Sequence, residues 1–157
     1  MATDDAKKAN AQKMMMLSMK VMISEVWDTL GDSSMALSHG MGDAILEMME
    51  KEQGLEIAAE NPMAVGKEIE RILVDEYGLA HEITIESDGV KDTDLKVKGC
   101  NNTYFCDQLT ASGVKTPFIC PAMLATSAAL RKLGYKGRVS IERWQEGKGC
   151  IVHFKGV

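Results

Sequence analysis

The hydrophobic period of this 157-residue chain changes from helical to alternating near Gly78, and that switch limits the folds open to it. Before it, Met19, Met22, Ile23, Val26 and Leu30 recur at helical spacing and stop at Gly31. Leu37, Met41, Ile45 and Met48 form a second stripe that Gly54 ends, with Asp32, Ser33 and Ser34 ahead of it as candidate caps. A third helix starts after Asn61-Pro62, where proline forfeits no hydrogen bond, and carries Val65, Ile69, Ile72 and Leu73 towards Tyr77-Gly78. Beyond Gly78, Ile83 and Ile85 alternate with Glu82, Thr84 and Glu86. Ser87-Asp88-Gly89 turns the chain, and Leu95 and Val97 alternate with Lys96 and Lys98, which predicts a half-buried hairpin. A short helix over residues 104–111 and an alanine-rich one over 122–133 follow, then a second hairpin over 138–144 and 150–155. This order predicts an α+β fold, with N-terminal helices packed on one face of an antiparallel sheet of two hairpins. Residues 1–14 are expected to be a flexible segment, and 15–157 a single domain.

Charge narrows the function. A net charge of -5 and a pI near 5.2 leave no excess of cations to neutralise phosphates or anionic lipid, so nucleic acid is not expected as a partner. Asp4, Asp5, Lys7, Lys8 and Lys13 precede the run Met14 to Leu17, and Ser18 interrupts it, so neither a secretory signal nor a membrane span is expected. The expected compartment is the cytoplasm, where four cysteines are reduced thiols or metal ligands rather than disulfides.

Those cysteines all fall at the ends of expected elements: Cys100 after the second strand, Cys106 six positions on, Cys120 before the alanine-rich helix and Cys150 at the start of the last strand. Strand exits and entries share an edge in an antiparallel sheet, so the four thiols can converge. A zinc ion takes four thiolates, or three with a histidine or carboxylate. No C-x2-C pair is present, and buried apolar cysteines, a structural zinc site, an iron–sulfur cluster and a redox-sensing thiol pair all stay open. Cys120-Pro121 at a helix start is the best candidate for an ionised thiol. No Ser/His/Asp set or nucleophile elbow is present, and Gly40-x-Gly42 lacks the strand and third glycine of a dinucleotide loop.

The stretches Pro117-Phe118-Ile119-Cys120, Leu130-Arg131-Lys132-Leu133-Gly134, Val139-Ser140-Ile141-Glu142 and Gly149-Cys150-Ile151-Val152-His153-Phe154 resemble the 4-vinyl reductase, or hydrocarbon-binding, domain family, in its stand-alone archaeal form. The resemblance covers residues 15–157. It implies the fold of nitric-oxide sensors and Golgi tethering subunits, an apolar pocket, a dimer, and a zinc ion held by Cys120, Glu142 and Cys150. Where that family carries a further cysteine after the glutamate, this chain reads Arg143-Trp144-Gln145, so Cys100 or Cys106 would have to supply the missing ligand.

Residues and resemblance together predict a cytoplasmic homodimer that binds a small apolar molecule. Met19, Met22, Met41, Ile45, Ile69 and Leu73 would line a space between helices and sheet. A metal site drawn from Cys100, Cys106, Cys120, Cys150 and Glu142 would tie the last hairpin to the helix at Cys120. A reductase or accessory subunit in tetrapyrrole or one-carbon metabolism and a thiol redox sensor are the alternatives.

Overall fold

The computed structural model describes residues 2–54, 61–89 and 91–157. Helix α1 spans Asp4–Leu30. Thr3 caps it by accepting the Ala6 N–H at 3.3 Å, and Asp4 and Asp5 suit the positive end of the helix dipole. Residues 4–14, expected as a flexible segment, are therefore the first turns of this helix. Their alanines, lysines and glutamine are strong helix formers, and periodicity missed them because they bury nothing.

A 3₁₀ turn, Gly31–Ala36, leads into α2, Leu37–Gln53. Helix α3, Pro62–Arg71, has Asn61 as its cap, accepting the Ala64 N–H at 3.0 Å, and closes in a π turn over Ile72–Glu76. Strands β1 (Glu82–Ser87) and β2 (Thr93–Lys98) form the first hairpin. Helices α4 (Thr103–Ala111) and α5 (Pro121–Lys132) follow, then β3 (Gly137–Trp144) and β4 (Gly149–Gly156).

The two hairpins join through β2 and β4 into one antiparallel sheet of order β1-β2-β4-β3. The fold is α+β, as the change of period predicts.

Alternation decides what each sheet face sees. Ile83, Leu95, Val97, Val152 and Phe154 point inward and are buried. Glu82, Thr84, Asp94, Lys96, His153 and Glu142 occupy the other face. Against the inner face lies α5, whose residues 122–130 are all buried, and α2 packs on its far side. Alanines make this stacking close: a Cβ on Gly42 of α2 would stand 2.7 Å from the Leu124 carbonyl oxygen.

A second, smaller core fixes α1. Ile23 and Trp27 pack with Leu109 of α4, Val114 and Phe118, and the Trp27 and Phe118 rings stack at 6.5 Å between centroids. Among the described residues no helix is long and apolar enough to cross a membrane.

Candidate functional site

Where the two cores meet, a cavity of about 260 Å³ opens, lined mostly by apolar atoms, and all four cysteines of the chain lie in its wall. Each arrives by a different route. The Gly99 turn, at a φ of +63°, ends β2 and delivers Cys100, whose N–H donates to the Lys148 carbonyl at 3.0 Å. One and a half turns on, α4 presents Cys106 beside Phe105. Cys120 is the cap residue of α5, with extended backbone and Pro121 behind it. Cys150 is the second residue of β4, opposite Val97 on one side and Arg143 on the other. The convergence rests on sheet geometry, since the exit of β2 and the entry of β4 lie at one edge.

The four sulfurs are free thiols with unequal protonation. Cys150 and Cys120 share a thiol hydrogen bond that holds the Cys120 thiol below the ordinary thiol range although the residue is buried. The N–H groups of Met123 and Ala122 at the start of α5 act in the same direction, although neither makes a cap bond of strict geometry. Cys150, keeping the shared proton, is pushed up by that same bond and by burial. Burial pushes Cys106 up to about 11 and raises Cys100 as well, with Arg143 opposing both. The most acidic thiol of the site is therefore Cys120, with Cys150, Cys100 and Cys106 all held towards the protonated form.

Arg143 is the functional residue that sequence reasoning missed. Its guanidinium donates to the Gly149 carbonyl and to Asp107 on α4 at 2.7 Å, while its Nε is buried without a protein acceptor at the cavity wall. The signal was present: Arg143 is two residues from the inward Ile141 and directly opposite Cys150, so alternation turns it inward.

The same alternation carries Glu142 to the outer face. There its carboxylate is exposed and stands 3.4 Å from His153 Nε2, whose Nδ1 is 2.8 Å from Asp94. The structure therefore brings Cys100, Cys106, Cys120 and Cys150 together and keeps Glu142 apart.

Of the six residues expected to line an apolar space, only Met19 borders this cavity, with Met16 beside it. Ile69 and Leu73 are sealed in the main core at 0% and 2% exposure, and Met41 and Ile45 pack on its edge. Met22 is 60% exposed on α1. The expected space between helices and sheet is filled by α5, and the hollow lies at that helix's N-terminal end instead.

As a donor set the site fits a soft or borderline metal in kind, being all sulfur with a cation at its margin. In arrangement it is open: among the described residues no three His, Cys, Asp or Glu side chains stand close enough to hold an ion. Cys120 and Cys150 alone are in hydrogen-bond contact, and Cys100 and Cys106 have to turn towards them to close a site.

No curated protein matches the chain. Residues 14–157, nearly its whole length, match the family described as "Putative rubredoxin C-terminal domain", and the protein belongs to that family.

Proposed function

We propose that this protein is a thiolate metal-binding domain whose ion is anchored by Cys120 and Cys150 and completed by Cys100 and Cys106. The observation that carries the reading is the meeting of every cysteine in the chain at one cavity, from four separate stretches of the chain. The family's name supports it, since it couples the domain to a rubredoxin.

An all-sulfur set selects zinc or iron, the first supplying structural closure and the second one-electron chemistry. The chain's own residues prepare the site. The start of α5 stabilises charge on Cys120, and the free Nε–H of Arg143 faces sulfurs that become anionic on binding. Loss of the proton shared by Cys120 and Cys150 accompanies metal entry, so affinity rises with pH. Free thiols in such proximity suit a reducing compartment, which favours the cytoplasm.

Metal analysis and native mass spectrometry of anaerobically purified protein test the reading. One zinc or iron per chain is expected, abolished by Cys120→Ser or Cys150→Ser and weakened by Cys100→Ser. A folded wild-type protein that takes up neither ion at micromolar concentration would sink it.

A second reading, a guest-binding pocket of the kind the 4-vinyl reductase resemblance implies, is favoured by the cavity's size and apolar lining. About 150 Å³ suffices for a benzene-sized guest. Methyl NMR shifts at Met16 and Met19 on adding a small aromatic report such binding, and unmoved signals at millimolar ligand count against it.

A further inference from the structure

The cavity wall carries a single charge. Among the described residues that line it, Arg143 alone has an ionic side chain, the others being apolar groups, thiols, Asn102 and Thr103. Strand pairing sets Arg143 directly opposite Cys150. Its terminal nitrogens donate to the carbonyl of Gly149, the neighbour of Cys150 in sequence, and at 2.7 Å to Asp107, the neighbour of Cys106. A planar guanidinium can hold both acceptors at once, and a single ammonium at the same place cannot. One side chain therefore ties the segments that bear two of the four sulfurs. Asp107 opposes the cation, but its side chain is 51% exposed against 20% for Arg143, so water screens the carboxylate more.

We propose that Arg143 is the positioning residue that sets which charge state of iron the cysteine site prefers, favouring iron(II) over iron(III). The inference rests on the thiolate metal-binding reading above and adds to it a residue that is not a ligand. Four thiolates leave a divalent ion two units negative and a trivalent ion one unit negative. A fixed cation stabilises the more negative assembly by more, which raises the reduction potential. One electron is gained or lost, and no bond to sulfur is made or broken. At an effective dielectric of about 20, Coulomb's law keeps this bias tenfold or more out to roughly 12 Å, and cross-strand partners lie well inside that range.

Anaerobic iron loading of the full chain, followed by spectroelectrochemical titration with the electrode as electron donor, tests this. Arg143→Met should lower the midpoint by at least 59 mV, a tenfold loss of preference for iron(II) in a one-electron couple. Asp107→Asn, which removes the opposing carboxylate, should raise it by a twofold change in that preference or more. Asp107 is half exposed, so this second variant folds whether or not the first does. A role confined to holding the fold together would move both variants the same way. Arg143→Lys keeps the charge but not the double anchor, so it should hold the wild-type potential and lose iron to a chelator faster.

Arg143→Met with a preference within twofold of wild type overturns the inference and leaves the metal reading standing. So does an Asp107→Asn midpoint that fails to rise, or an Arg143→Lys midpoint equal to that of Arg143→Met. A wild-type chain that takes up zinc but no iron also overturns the inference alone. One that takes up neither ion ends both.

Discussion

Gly149 is where the geometry of the cysteine site can be tested without touching a cysteine. A Cβ at this position would fall far inside contact distance of the Val97 carbonyl oxygen and 2.8 Å from its carbon. Both are main-chain atoms of β2, so no side chain can move aside. Gly149→Ala has to push β4 off β2 at the end that carries Cys100 and Cys150.

Two hydrogen bonds end the strand pairing there, Gly99 N–H to Gly147 O at 2.8 Å and Cys100 N–H to Lys148 O at 3.0 Å. Losing them costs about 1 kcal/mol each, and forcing a methyl into a filled space adds about 1–3 kcal/mol. The expected destabilisation is therefore roughly 3–5 kcal/mol, a large share of the roughly 5–15 kcal/mol typical of a domain. With a urea slope of roughly 1–3 kcal/mol per molar, the midpoint should fall by about 2 M.

Chelator-treated protein should also show faster thiol modification of Cys120 and Cys150, because the bond between their sulfurs depends on β4 staying seated. Gly40→Ala is the control. It sits in α2 with nothing within 4 Å of a new Cβ, and should be neutral or stabilise by about 0.5–1 kcal/mol. A Gly149→Ala protein within about 0.5 kcal/mol of wild type, with unchanged thiol kinetics, would refute the close approach and the coupling built on it.

Trp27→Ala should cost about 3–5 kcal/mol and, since the small core is what secures α1, should raise amide hydrogen exchange in α1 before it does so in α5. Uniform exchange changes across both helices would contradict the separation of the two cores. For metal-free protein, alkaline stability reports Cys106. Its folded pKa, raised to about 11 from an ordinary 9.0, contributes stability that is whole below pH 9.0 and is lost as pH rises through about 11. Wild type should thus lose stability over that window more steeply than Cys106→Ala in urea titrations, and parallel curves would argue that Cys106 is not desolvated.

The order of helices and hairpins was legible because each element writes its own period. Asn61-Pro62 starts α3, and the alternation of Leu95 and Val97 faces β2 inward. The gathering of Cys100, Cys120 and Cys150 was legible for a related reason, as these three stand at element ends and antiparallel pairing brings such ends to one edge, whereas Cys106 arrives from within α4.

The cavity lining was not legible, because a stripe on α2 or α3 records only that those residues avoid water. Whether they border a hollow or a solid core depends on α5, which inserts through small residues that leave no mark in the pattern of α3. Glu142 shows what family likeness misses and alternation supplies. As the neighbour of both Ile141 and Arg143, it faces away from the Cys150 side whatever a related sequence does with the position.

The four sulfurs enter from residues 100, 106, 120 and 150, so anything that grips them together also fastens a loop of about fifty residues holding α4, α5 and β3. Such a clasp is absent from the unfolded chain. Occupancy there should therefore act as a thermostat on the whole C-terminal half, its melting temperature climbing with the concentration of whatever is bound. An empty clasp leaves that half to rely on its two apolar cores and the strand pairing.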